Sequence, residues 1–225
     1  MQGKSPSGEP AKQLAIEGVR RAILRGELVA GQRLIEPDLA EMLGVNRSSV
    51  RAALIDLAAE GLVERMPNKG ARVRIVPVAE AIAINECRRV LDGLCAAKAA
   101  DCASDGEIAE LQAIGEQMRA AVLQGRFARY SQLNMELHQR IREISGQFVA
   151  ERLVQRLNEQ VVQHQFHLAA DESRARAWLP EHLAVIDAIA RHDARRAERA
   201  TRLHMDHVIA VLREDDVEDA RAAAV

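Results

Sequence analysis

Asn134 and His138 stand four residues apart, so on a helix both side chains reach one spot. His182 follows His138 by 44 residues, and His204 comes another 22 later. Three imidazoles plus one oxygen donor suit a divalent metal, Zn²⁺ first, with Ni²⁺ or Mn²⁺ as further options. A hydrogen-bonded histidine core is the competing reading, because seven histidines offer many triples. Arg47 and Arg51 form a second pair at the same spacing. Arginines on the first turns of a helix can donate to base edges and phosphates. Asn46, Ser48 and Ser49 beside them are short polar groups that allow close approach to a DNA backbone; a solvated surface pair is the alternative. Hydrolytic and redox chemistry find no such support. There is no His-Glu-x-x-His, Ser145-Gly146 is not a nucleophile elbow, and no Cys-x-x-Cys occurs.

These residues need rigid elements to hold them, and the composition points to helices. Apolar residues make up 48% of the 225-residue chain and aromatics only 2%, so Ala, Leu, Ile and Val must build the core. That favours a mostly helical protein. Helical patterns are expected from residue 11 to about 24, over 36–43 with Pro37 in the first turn, and over 47–60. Asn46 is placed to cap the third of these, and Gly44 to stop the second. Segments 62–66 and 71–76 alternate around Pro67-Asn68-Lys69-Gly70 and read as a β-hairpin. Two closely spaced helices followed by a hairpin make a winged helix-turn-helix, with Lys69 and Gly70 at the wing tip. Beyond Pro77 only helices are expected, at 78–102, 105–123, 127–144, 147–170, 178–191 and 193–213. Pro180 is read as a helix start.

The charge is divided along the chain. Residues 1–76 carry 12 Lys/Arg against 9 Asp/Glu, whereas residues 77–225 carry 19 against 24 and hold every histidine. Two domains with different tasks follow. The expected organisation is a flexible leader at 1–10, a DNA-binding domain at 11–76, a helical ligand-sensing and dimerisation domain at 77–213, and a flexible tail at 214–225. No run of 18 apolar residues exists and the first ten residues have no apolar core, so neither a membrane span nor a signal peptide is expected and the protein is read as cytoplasmic. Cys87, Cys95 and Cys102 are read as three buried thiols on one helix.

The stretch Leu39-Ala40-Glu41-Met42-Leu43-Gly44-Val45-Asn46-Arg47-Ser48-Ser49-Val50-Arg51-Ala52-Ala53-Leu54 resembles the DNA-binding domain of the GntR family of bacterial transcription regulators. Gly31-Gln32-Arg33-Leu34 resembles its Pro-Gly-x-x-Leu opening, and Glu60-Gly61-Leu62-Val63 with Asn68-Lys69-Gly70-Ala71 complete it. The resemblance implies DNA contact by Arg33, Asn46, Arg47, Ser48, Ser49, Arg51, Asn68, Lys69 and Gly70. Asn46, Ser49, Ala52 and Pro37 depart from the usual residues, which bears on the operator sequence rather than the fold.

The second half resembles the FCD-type ligand-sensing domain of the FadR subgroup. The matching pieces are Glu86-Cys87-Arg88-Arg89-Val90-Leu91-Asp92, Asn134-Met135-Glu136-Leu137-His138 and Glu181-His182-Leu183-Ala184-Val185-Ile186-Asp187, with 197–204. In such domains an Asp and three His bind a divalent metal, which implies a site formed by Asn134, His138, His182 and His204. Asn134 stands in place of the Asp, so the site is either filled with weaker affinity or metal-free. Arg88 matches an arginine that faces the pocket in relatives and meets an organic acid; pairing with Asp92 or Glu86 is its alternative. His164 and His167 are read as surface or packing residues. The resemblance implies a metabolite-responsive regulator, a repressor in most relatives, bound as a homodimer to a pseudo-palindromic operator, and not an enzyme. A metal-dependent enzyme on the helical bundle and a DNA-binding protein with a vestigial pocket are the alternatives.

Overall fold

The computed structural model describes residues 8–66, 70–161 and 172–223. The chain divides into two compact units, Met1–Val76 and Pro77–Val225.

The first unit contains α1 (Glu9–Leu24), β1 (Arg33–Leu34), α2 (Glu36–Leu43), α3 (Arg47–Ala59), β2 (Val63–Met66) and β3 (Gly70–Val73). Helix α1 starts inside the expected leader, with Pro10 in its first turn, where the missing N–H costs nothing. Gly44 ends α2 in the left-handed conformation (φ 66°), the turn between the two helices of the motif. Asn46 then caps α3, its side chain accepting from the Ser49 amide at 2.8 Å, an interaction worth about 1 kcal/mol. Val50, Ala53, Leu54 and Leu57 turn inward from α3 and Val19 and Ile23 from α1, all at most 4% exposed. The expected hairpin is one part of a three-stranded antiparallel sheet ordered β1-β3-β2, with Arg33 opposite Arg72 and Val63 opposite Val73. Strand β1 was expected only as an extended link; two residues are too short to show an alternating pattern.

Among its described residues the second unit has only helices as regular elements: α4 (Val78–Cys102), α5 (Asp105–Leu123), α6 (Phe127–Ile144), α7 (Phe148–Gln160), α8 (Glu172–Ala190) and α9 (Ala194–Ala223). Ser104 opens α5 with a reciprocal capping box to Glu107. The core joins Leu111, Ile114 and Met118 of α5, Leu133, Leu137 and Ile141 of α6, and Val185 and Ile189 of α8. Gly115 lets α5 and α8 come close, since a Cβ there would lie 2.9 Å from Ile186 Cδ1.

Three boundaries differ from expectation. Helix α8 begins at Glu172, and Pro180 is exposed within it. Trp178, His182, Val185 and Ile189 form one buried face of α8, and that burial outweighs the lost backbone hydrogen bond. Helix α9 continues to Ala223 instead of stopping at 213; Ala, Arg and Glu are good helix formers and no Gly or Pro interrupts them. Helix α7 ends at Gln160, and the rest of the 147–170 expectation, with His164 and His167, lies outside the described residues. Of the three thiols, all unpaired, only Cys95 is buried.

Candidate functional site

In the first unit, Arg47, Ser48 and Arg51 are exposed on the opening turns of α3, and Arg33 is exposed on β1. Gly70 is exposed at the start of β3, while Asn68 and Lys69 lie outside the described residues. Ser49 departs from the expected role: it is 6% exposed, because it falls on the inward stripe of α3 next to Val50 and Ala53. Asn46 is half-buried and already occupied as a cap, also accepting from the Ser48 hydroxyl. It fixes where α3 begins, and therefore where the arginines project.

Arg51 has a partner that sequence spacing did not suggest. Its Nε donates to Glu36 Oε1 at 2.9 Å and its Nη2 to Glu36 Oε2 at 2.7 Å, a two-pronged contact. The hydrogen bonds from Arg51, with the charges of Arg47 and Arg65, hold the Glu36 carboxyl below the usual carboxylate range. Glu36 thus lies among three arginines and orients the fork of one of them. It opens α2, fifteen residues from Arg51, beyond the reach of any local pattern.

In the second unit, three helices bring His138 (α6), His182 (α8) and His204 (α9) together. One ring nitrogen from each lies within 4.8 Å of the others. The His182 and His204 ring centres are 4.3 Å apart, and His138 lies 5.4 and 5.6 Å from them. Backbone and carboxylate partners fix the tautomers. His182 Nδ1 is 2.9 Å from the Trp178 carbonyl, which can only accept, so Nδ1 carries the proton and Nε2 keeps its lone pair. His204 Nδ1 donates to Glu181 Oε2 at 2.8 Å, which turns its Nε2 toward the cluster as the nitrogen available to a ligand. The other Glu181 oxygen accepts from exposed His207. Burial pushes the His138 and His182 pKa values well below the usual 6.5, and the mutual repulsion of the cluster adds to this. Neutral imidazoles are the form that binds a metal.

Two buried atoms at this cluster have no hydrogen-bond partner: His182 Nε2 and Asn134 Oδ1. Leaving such groups unsatisfied costs roughly 1–3 kcal/mol each. An orphaned nitrogen lone pair and an orphaned amide oxygen are what a cation requires, so these residues fit a divalent metal held by Asn134, His138, His182 and His204. The metal would supply a positive centre able to bind an anionic ligand.

Arg88, expected to face the pocket, is 8% exposed on α4. Nη1 donates to Asn85 Oδ1 at 2.9 Å, Nη2 lies 3.5 Å from Asp92 Oδ2, and Nε has no partner. The pairing alternative is therefore present, although it leaves part of the guanidinium unused. Burial opposes the charge, but a guanidinium keeps its proton in proteins. Sequence reasoning missed Arg142, also 8% exposed, whose Nη1 is 3.3 Å from Asp92 Oδ1. The signal was available, because Asn134, His138 and Arg142 form one row on α6 at steps of four. Arg142 follows His138 by one helical turn on α6, and the positive charges of Arg142 and Arg88 both help to lower the His138 pKa.

The sequence comparisons agree with this architecture. Residues 12–73 match the domain described as bacterial regulatory proteins, gntR family, and residues 83–207 match the FCD domain. The chain belongs to the GntR family of transcription regulators with an FCD domain. The HTH-type transcriptional repressor RspR of Escherichia coli K12 is 24% identical over 200 residues, covering 89% of this chain and 88% of the relative. An HTH-type regulator from an unstable DNA locus of Streptomyces ambofaciens is 31% identical over 212 residues, with 91% and 84% covered. Among solved structures, E. coli McbR/YncC superposes with a TM-score of 0.77 at 22% identity, covering 91% of this chain and 98% of that one. A GntR regulator from Rhodococcus sp. RHA1 gives 0.72 at 19%, with 91% and 98% covered. These relatives are regulators, not enzymes, and no described helix is long and apolar enough to cross a membrane.

Proposed function

We propose that this regulator is a cytoplasmic repressor of the FadR subgroup that binds a pseudo-palindromic operator as a homodimer and responds to a small organic acid held in its second unit. Arg47 and Arg51 read the major groove from α3, and Arg33, Ser48 and the wing residues Asn68, Lys69 and Gly70 hold the backbone. Asn134, His138, His182 and His204 bind a divalent metal, Zn²⁺ before Ni²⁺ or Mn²⁺, and Arg88 anchors the acid beside it. The observation that carries this reading is the histidine cluster with its two orphaned atoms, an arrangement suited to holding a ligand.

Fluorescence anisotropy on an operator selected from random DNA tests the DNA half. Arg51→Ala is expected to weaken specific binding by about 1–3 kcal/mol, roughly five- to 150-fold. Unchanged affinity in a folded variant removes Arg51 from the interface. Gel filtration with light scattering tests the dimer.

A further inference from the structure

Three charged side chains beside the histidines do not balance. Arg88, Arg142 and Asp92 are each at most 8% exposed, and the two guanidiniums share the one carboxylate. Arg88 Nε and Asp92 Oδ2 lack hydrogen bonds, so the existing pairing is incomplete in geometry as well as in charge. Glu181, a further carboxylate at the cluster, is engaged by His204 and His207. Among the described residues, no ion pair joins it to either arginine. A buried positive charge without a counter-charge is costly, and guanidiniums cannot lose their protons to relieve it.

The histidine side has the same deficit. Imidazoles bind a metal in their uncharged form, and the oxygen donor, Asn134, is a neutral amide. A divalent cation held there meets no protein anion within the Asn134, His138, His182 and His204 set.

We propose that Arg88 and Arg142 form a two-arginine anion subsite next to the histidines, and that the pocket takes a small dicarboxylate in preference to a monocarboxylate. One carboxylate meets the guanidiniums, and the other faces the histidine end, so that a single dianion answers both deficits. Planar guanidinium forks suit carboxylates through paired N–H donors. Arg142 is then a specificity-determining residue, not merely the partner of Asp92. The inference rests on reading the second unit as a carboxylate-binding domain and narrows the chemical class that it binds.

The test uses the full-length protein as purified, at constant ionic strength. Butyrate and succinate serve as four-carbon probes with one and two charges, and glutarate as a longer dianion. Calorimetric titration is expected to show one of the dianions binding at least about tenfold tighter than butyrate. In Arg142→Met that preference falls to within about twofold, while Arg142→Lys, which keeps the charge but loses the fork, lies between. Thermal melts give a second readout that a purely structural role would not move: the succinate- or glutarate-induced rise in Tm seen in wild type is lost in Arg142→Met. Butyrate binding as tightly as the dianions, or a variant that keeps the wild-type preference, overturns the two-arginine inference and leaves a carboxylate pocket standing. Binding of none of the three acids overturns the inference together with the reading beneath it.

Discussion

Arg51 and Arg88 are the same residue type paired with a carboxylate, yet the two units use them in opposite ways. The Arg51 side chain is 67% exposed and its partner Glu36 is 25% exposed. The Arg88 and Asp92 side chains are 9% and 3% exposed. An exposed pair is worth little, roughly 0–1 kcal/mol, because water already screens both charges. Glu36 can therefore give up Arg51 to a phosphate or a base at small cost. A buried pair has lost that screening, so any change in its charge balance is felt in full. Under the proposed function, the first unit presents charge to a partner that arrives from outside, and the second stores charge for one that enters.

The sharpest way to break the comparison is to remove each carboxylate in turn. Asp92→Asn leaves two buried guanidiniums without an anion and is expected to destabilise the second unit by about 3–5 kcal/mol. Glu36→Gln should change stability by less than about 1 kcal/mol. Trp178 is the only tryptophan and lies in the second unit, 5.8 Å from His204, so its fluorescence reports that unit's unfolding. Equal effects of the two substitutions would erase the distinction.

Acidification sharpens it next. The folded pKa values of His138 and His182 lie well below the unfolded value of 6.5. Below pH 6.5 the unfolded chain takes up protons that the folded chain refuses, so stability is present above that pH and declines as pH falls. In chelator-treated protein the loss between pH 7 and 5.5 is expected to reach at most about 1.3 kcal/mol for each of the two residues. The Met1–Val76 unit has no histidine and should be insensitive over the same range. Melts between pH 7 and 5.5, followed by Trp178 emission and by far-ultraviolet circular dichroism, separate the two.

A smaller effect concerns metal affinity. Asn134→Asp keeps the size of the side chain and adds a charge beside a dication, and should tighten Zn²⁺ by roughly tenfold, since one extra charge contact is worth about 1 kcal/mol or more. If the residues form only a hydrogen-bonded core, the same substitution buries an unpaired carboxylate and lowers Tm. The smallest effect is on DNA selectivity. Glu36→Gln removes a negative charge from the side proposed to face DNA and frees the Arg51 fork. Binding to random DNA should rise about twofold while preference for the operator falls. Parallel anisotropy titrations with both DNAs measure the ratio.

The fold was legible wherever signals were local. Ser104 with Glu107, Asn46 before α3, and Gly44 after α2 mark ends that the structure keeps. The start of α8 was misread because Pro180 is a strong local sign of a helix start, and only burial of the whole face overrides it. The site was half legible. Asn134 with His138 and Arg47 with Arg51 show themselves by spacing within one helix. Glu36 with Arg51 and Asp92 with Arg142 are joined across 15 and 50 residues, and nothing in a single chain's periodicity announces such pairs. Ser49 was read outward because its neighbours are polar, whereas its place on the helix turns it inward.

The central claim is that the buried cluster of the second unit holds a ligand, with its orphaned nitrogen and amide oxygen as the evidence. Elemental analysis of the purified protein tests it most directly, run beside His182→Ala. The account predicts about one divalent ion per chain in the wild type and a loss of most of it in the variant. A wild type that carries no ion and takes up none when supplied with Zn²⁺, or a variant that retains as much, would contradict it.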